Sequence, residues 1–212
     1  MRSSYSLLLF LSCVAVVYSV RADAKMFNTV QHDPKNVIQF TSQATLETVV
    51  GHTADVTGHV DMNMDSILAT KEGEFSVDLN SLDTGIGMRN NDMRKDFLET
   101  AKYPTGTFKL TRFVSADKPS LVAGQPVHAV IEGDFTVHGV TKSYQIPVTL
   151  TFDTASQSSK MRLSGNTGNI LAIDGNWTIK LADHNINRPQ MLFMRLAEEQ
   201  HIVISIALTD AP

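Results

Sequence analysis

The sequence predicts an all-β fold in which antiparallel strands form most of a single domain of 212 residues. Large apolar residues alternate with polar ones, as at Tyr144, Ile146 and Val148, and this alternation is typical of strands with one buried and one solvated face. Turn-forming sequences such as His138-Gly139 separate the segments. Only one segment has a helical pattern, so parallel strands joined by helical crossovers are not expected.

About eight segments share this alternation. They are Ile38 with Phe40, Val56 to Met64, Phe75 to Leu79, Phe108 with Leu110, Ala129 to Val137, Tyr144 to Phe152, Leu171 to Leu181, and Ile202 to Leu208. A count of nine adds Met161 to Ser164. Eight antiparallel strands either close into a barrel or stack as a sandwich, and periodicity alone leaves both arrangements open.

The helical segment is predicted at about 90–101. Asn90 or Asn91 is expected to cap its N-terminus. Met93 and Phe97 lie one turn apart, so they share one face of the helix. A helix this short is not stable alone, so its apolar face is expected to dock on the sheet.

Residues 1–24 are predicted to be a secretory signal peptide, and 25–212 the folded domain. The apolar run from Leu7 to Val20 is shorter than the roughly 20 residues that a membrane helix needs, and an Ala-x-Ala cleavage motif ends at Ala24. An uncleaved anchor helix is the alternative. The only cysteine, Cys13, lies in this segment, so the mature chain is expected to lack disulfides and thiol chemistry. We expect a periplasmic or secreted protein without stable membrane insertion.

Two blocks of sequence stand out as motifs. The first has Ser81-Leu82-Asp83-Thr84-Gly85, Arg89, Met93-Arg94, Phe97-Leu98-Glu99, Lys102-Tyr103-Pro104-Thr105 and Phe108. The second has Gly133-Asp134-Phe135-Thr136-Val137-His138-Gly139-Val140-Thr141-Lys142. Together they resemble the YceI family of lipocalin-like proteins that bind isoprenoid chains. The chain departs from the family pattern at Asn90, where the family usually has Asp. With weaker matches at both ends, the resemblance covers nearly all of the mature chain.

The resemblance implies an up-and-down lipocalin-like β-barrel, and so favours a barrel over a sandwich. It also implies a carrier that binds an isoprenoid or other long amphiphilic lipid in the barrel lumen, with no cofactor. Whether the chain forms a homodimer stays open. Residues with inward strand parity are the candidate lumen residues: Phe40, Gly58, Phe75, Val77, Phe108, Gly133, Phe135, Ile146, Val148, Gly175, Trp177 and Ile204.

Charged residues of the helical segment are candidates for a polar mouth, with Arg89 and Arg94 foremost. The alternative is an ordinary solvated helix face. Glycine weakens a strand interior, so the presence of Gly58, Gly133 and Gly175 within predicted strands needs an explanation. One interpretation is a bend that curls the sheet, and the other is space in the lumen for a ligand.

Composition and motifs limit the other classes of function. A net charge of −4 gives no basic face for nucleic acid. The seven histidines form no pair at metal-ligand spacing, and no nucleophile motif is present. An enzyme acting on a small apolar substrate in the same cavity, and a structural β-domain with a filled core, remain the alternatives to a carrier.

Overall fold

A computed structural model describes residues 24–30, 33–43, 47–157, 161, 168–188 and 196–211. Within these residues the chain is a closed antiparallel β-barrel with one helix. The strands are β1 (Ala24–Thr29), β2 (Val37–Gln43), β3 (Thr48–Thr53), β4 (Val56–Asn63), β5 (Glu72–Asp78), β6 (Thr105–Ala116), β7 (Val127–Val137), β8 (Val140–Asp153), β9 (Ile170–Lys180) and β10 (Glu199–Thr209). The predicted fold class is therefore confirmed.

Eight strands form the closed wall. Strands β4 to β10 are neighbours in chain order, and β1 lies between β10 and β4. The seam between β1 and β10 is short, with Asn28 opposite Thr209 and Thr29 opposite Leu208. An ion pair of Lys25 with Asp210 lies beside it. Burial raises the pKa of Asp210, but hydrogen bonds from Lys25 and Asn169 outweigh it and leave that pKa below its usual value.

Strands β2 and β3 form a hairpin that extends the wall at the other end. Strand β2 pairs with the first half of β10, where Ile204 lies opposite Ile38, while β1 pairs with its last residues. The outer edge of β3 is held by a bridge between His52 and Asp83. Sequence periodicity missed β1 and β3, because six-residue strands give little alternation to detect.

The helix lies earlier than predicted. It comprises α1 (Gly87–Asp92) and a π-helical turn, Met93–Phe97, not 90–101. Asn90 is not its N-cap, because its side chain is buried within the helix and bonds to the preceding loop. The helix ends before Glu99, whose left-handed φ of 45° breaks the helical path.

The barrel end opposite the helix is filled by side chains. Phe27, Met62, Ile67 and Leu208 are completely buried there, and Phe27 makes an edge-to-face contact with a ring of β8. Solvent-inaccessible aliphatic and aromatic side chains of this kind supply most of the folding free energy. In the part of the chain that the structure describes, side chains therefore close this end of the barrel, and the open space lies towards the helix.

Candidate functional site

An apolar cavity of about 250 Å³ lies inside the barrel beneath the helix. Strands β2 to β10 all contribute to its wall. The deep wall is aliphatic, with Val60, Leu110, Ile131, Val148 and Ile206 among its residues. Because these side chains cannot hydrogen-bond, this part of the cavity favours a hydrocarbon over water.

Above the aliphatic wall, four aromatic residues form what we call the aromatic belt. Phe75, Phe108 and Phe135 lie directly opposite one another on β5, β6 and β7. Trp177 meets the Phe135 ring edge to face, with centroids 5.6 Å apart. The indole Nε1 of Trp177 is buried and has no hydrogen-bond partner in the described part of the chain. The belt thus combines apolar surface with one unused hydrogen-bond donor.

The lid helix, residues 87–97, covers this end of the barrel. Its Met93 and Phe97 side chains, with Leu98, line the cavity and pack against a buried apolar cluster. That cluster includes Leu79 and Leu82 from the turn that precedes the helix. The apolar helix face docks as predicted, but it lies across the end of the barrel, against turns and the last residue of β7, Val137. This position makes the helix the roof of the cavity.

The cavity meets the surface at four polar residues, Glu47, Arg89, Asp92 and Asn187, which we call the mouth. The Arg89 guanidinium donates to Thr84 twice, from Nε to Oγ1 at 2.9 Å and from Nη2 to the carbonyl oxygen at 2.8 Å. Its Nη1 lies 3.6 Å from Glu47 Oε2. These bonds fix the orientation of Arg89 at the rim.

Sequence reasoning placed Arg89 at the mouth but missed Glu47 and Asn187. Glu47 directly precedes β3, the short strand without clear alternation, and Asn187 follows a 3₁₀ turn that ends at His184. These two residues lie at the rim with Arg89 only because of the path of the folded chain. Asp92 was visible in the charged segment, but its place on the cavity side of the helix depends on where the helix begins.

Asn90 organises the loop that precedes the helix. Its Oδ1 accepts from the Thr84 amide at 2.8 Å and from the Thr84 hydroxyl at 2.6 Å, and its Nδ2 donates to Asp83 Oδ1 at 2.6 Å. Hydrogen bonds from the Gly85 amide and from Asn90 lower the pKa of Asp83. An aspartate at position 90 would place a second carboxylate against Asp83, so Asn fits this loop where the family usually has Asp.

Arg94, the second predicted mouth residue, does not line the cavity. Its Nη2 donates to the Leu82 carbonyl oxygen at 2.8 Å, and its Nε is buried without a partner in the described residues. The side chain therefore ties the helix to the preceding turn. A role in contacting a ligand stays a prediction for Arg89 and has no geometric support for Arg94.

Nine of the twelve candidate lumen residues lie on the cavity wall. They are Phe40, Phe75, Val77, Phe108, Phe135, Ile146, Val148, Trp177 and Ile204. Strand parity found them because alternate residues of a strand face the same side. Contact of these residues with a ligand stays a prediction.

The three candidate glycines do not line the cavity, because neighbouring side chains cover them. A Cβ at Gly58 would lie 2.6 Å from Cδ1 of Phe75, and one at Gly133 would overlap the Phe108 ring. At Gly175 the neighbour is Val148, with Cγ1 at 3.1 Å. The glycines therefore make room for belt and wall side chains of adjacent strands, and leave no empty space of their own.

Two histidines connect the lid region to the barrel. His138, in the β7–β8 turn, has Nε2 at 2.7 Å from Glu99 Oε2 and Nδ1 at 3.1 Å from the His184 carbonyl oxygen. His184 is fully buried, and its Nδ1 and Nε2 lie 3.0 Å from the Val140 carbonyl oxygen and the Tyr144 hydroxyl. Burial lowers the pKa of His184. The carbonyl contact makes Nδ1 the donor, so the neutral imidazole accepts from Tyr144 at Nε2.

Among the residues that the structure describes, no group of three His, Cys, Asp or Glu side chains is placed to hold a metal ion. No helix in those residues is long and apolar enough to cross a membrane. Two sequence expectations lie outside the described residues: the signal peptide before Ala24 and most of the extra strand predicted at Met161 to Ser164.

A closed antiparallel barrel with an apolar cavity beneath a helical lid defines a lipocalin-like class of protein. Residues 29–208 match the model of the YceI-like domain. The chain belongs to the YceI-like family, and this confirms the resemblance seen in the sequence. No curated protein matches the chain.

Solved structures share the fold at low sequence identity. A polyisoprenoid binding domain from Saccharophagus degradans, implicated in plant cell wall breakdown, is 18% identical with a TM-score of 0.63, covering 89% of this chain and 99% of that one. BcnA from Burkholderia cenocepacia is 19% identical with a TM-score of 0.61, covering 82% and 96%. The YCEI protein of Campylobacter jejuni is 16% identical with a TM-score of 0.59, covering 78% and 86%. At these identities the likeness establishes the fold alone.

Proposed function

We propose that the protein is a carrier that binds one isoprenoid chain, or another long amphiphilic lipid, in the barrel cavity. One observation carries this proposal: the cavity is mostly aliphatic at its depth, aromatic in the middle, and lined by charged residues only where it meets the surface. This order matches an amphiphile that enters tail first. Binding is passive, since it depends on burial of the tail and on contacts with the head group.

The energetics favour a long tail. Each buried methylene contributes about 0.8 kcal/mol, so a few prenyl units offset the cost of immobilising the ligand. The cavity of about 250 Å³ lies just below the range of about 300–1,000 Å³ that is common for ligand pockets. A slender single chain suits it, and a longer chain requires the lid helix to move outward. The name of the S. degradans domain supports an isoprenoid as this chain.

We propose that the carrier works outside the cytoplasm, in the periplasm or as a secreted protein. The apolar segment and the Ala-x-Ala motif before Lys25 support export. N-terminal sequencing of the protein purified from its own host should give Lys25 as the first residue. An intact Met1 or a lipidated Cys13 would contradict this part of the proposal.

An uncharged fluorescent fatty-alcohol analogue displaced by geranylgeraniol tests the carrier function. Val77→Phe places a ring in the cavity, because Val77 lines it, and should weaken binding of geranylgeraniol at least tenfold. Ser76→Phe is the matched control, since the neighbouring residue faces the other side of β5, and its affinity should stay within about twofold. Failure of the native protein to bind any prenyl chain would overturn the proposed function.

A further inference from the structure

The charge of the mouth differs from what an anionic lipid requires. Among the described residues that line the cavity, Arg89 is the one cation, and Glu47 and Asp92 are the carboxylates. Two negative charges and one positive charge leave a formal charge of −1. A lipid that enters tail first brings its head group to this rim.

Arg89 is also occupied by protein groups. Nε and Nη2 donate to Thr84 at 2.9 and 2.8 Å, and Nη1 faces Glu47 at 3.6 Å. Recognition of phosphate by arginine normally uses two parallel N–H donors of the same guanidinium. Such a contact here requires Arg89 to leave Thr84 or to turn away from Glu47.

Neighbouring arginines do not supply the free positive charge that Arg89 lacks. Arg94 donates to the Leu82 carbonyl oxygen and lies outside the cavity lining. Arg188, next to the mouth residue Asn187, pairs with Glu198, with Nε and Oε2 2.8 Å apart. The described rim therefore offers a phosphate no unoccupied positive charge and two carboxylates that repel it.

We infer that the mouth selects prenyl lipids with an uncharged head group, such as an alcohol or a quinone, and rejects prenyl phosphates. Glu47 and Asp92 are the residues that set this specificity. They exclude the anion by like-charge repulsion, which is a common way to obtain specificity without adding affinity for the preferred ligand. This inference rests on the proposed function, because it assumes that the tail occupies the cavity.

Two probes with the same tail and different head groups test the inference. Geranylgeraniol should displace an uncharged fluorescent fatty-alcohol analogue about tenfold more effectively than geranylgeranyl phosphate at low ionic strength. Added salt should reduce this difference between the alcohol and the phosphate, because salt screens charges at an exposed rim. The double variant Glu47→Gln/Asp92→Asn should bind the phosphate at least tenfold more tightly and should lose most of the native preference for the alcohol.

The matched control removes the same charge elsewhere. Asp65 and Glu72 are exposed near the closed end of the barrel, so Asp65→Asn/Glu72→Gln should keep the native preference for the alcohol. If the native protein binds the phosphate as tightly as the alcohol, or the mouth variant shows no gain for the phosphate, the inference is wrong although the carrier function stands. If neither probe binds, the proposed function itself fails.

Discussion

Single glycines in the barrel wall determine where aromatic rings can lie. The Phe108 ring lies over Gly133, and a Cβ there would also come within 2.6 Å of the Lys109 carbonyl oxygen. That contact is with backbone, which cannot rotate away as the end of a flexible side chain can. The aromatic belt therefore depends on a residue that does not itself face the cavity.

Gly133→Ala should destabilise the protein by about 1–3 kcal/mol, because the methyl group overpacks the belt. Gly175→Ala is the control from β9, where the nearest atom would lie 3.1 Å away on the flexible Val148 side chain. Gly175→Ala should therefore destabilise the protein clearly less than Gly133→Ala. Urea unfolding of both variants measures the difference, and equal costs would show that the Phe108 ring moves aside freely.

His184 should make stability depend on pH. Burial lowers its folded-state pKa below the ordinary histidine value of 6.5, so the unfolded chain binds the proton more readily. This stabilisation is complete above pH 6.5 and is lost as the pH falls from there towards the folded-state pKa. Urea unfolding between pH 5 and 8 should show a shallower loss for His184→Gln than for the native chain. His128→Gln, on the outer surface, should keep the native pH dependence; equal slopes in all three would contradict the assignment.

At the residue scale, strand parity predicts which side chains face the cavity and not what they contact there. It found Phe75, Phe108 and Phe135 of the aromatic belt because apolar and polar residues alternate clearly in their strands. It could not show that a ring from the next strand covers Gly133, since that depends on register. The mouth residue Glu47 was equally hidden, because the long-range pairing of β3 brings it to the rim.

The lid helix is the element on which covering and opening of the cavity depend. It has only 11 residues including its π-helical turn, and helices of this length need tertiary contacts to persist. Its docking face of Met93 and Phe97, with Leu98, is therefore what keeps the cavity covered. A lid that is held by few apolar contacts is suited to opening when a long tail enters.

Two glycines at the start of the lid allow its backbone to be tested separately from packing. Neither Gly85 nor Gly87 would bring a Cβ within 4 Å of another atom, and only Gly85 has a positive φ, of 78°. Gly87→Ala should stabilise the protein by about 0.5–1 kcal/mol. Gly85→Ala should destabilise it by about 1 kcal/mol through backbone strain. Thermal melts of the two variants measure these changes. A loss of stability in Gly87→Ala would contradict the assignment of Gly87 as the first residue of the helix.

At the element scale, the sequence predicted the helix and eight strands but misplaced the helix by several residues. The apolar spacing of Met93 and Phe97 was the correct signal for its docking face. The start was wrong because Asn90 has a typical capping side chain, and that side chain instead bonds to Thr84 and Asp83 in the folded protein. Local propensity cannot distinguish these two uses of the same amide.

On the scale of the whole molecule, β1 closes the barrel. Phe27, at its centre, lies opposite Val60 and is completely buried. Phe27→Ala should cost about 3–5 kcal/mol, as is typical for removing a core aromatic side chain. Met26→Ala, on the exposed face of the same strand, should change stability by less than about 0.5 kcal/mol. Chemical denaturation tests both, and a small effect of Phe27→Ala would mean that β1 does not contribute to the core.

The seam between β1 and β10 joins strands from opposite ends of the described chain, and this has a consequence for the order of folding. A chain that emerges N-terminus first can pair β4 to β9 as a meander. The β9 edge of that sheet stays unpaired until β10 is available, and the contacts between β1 and β10 that close the barrel form slowly because of their long sequence separation. Unpaired edges and an open apolar interior promote aggregation in that interval. We therefore expect the incomplete sheet to be most prone to aggregation before the final strand is available.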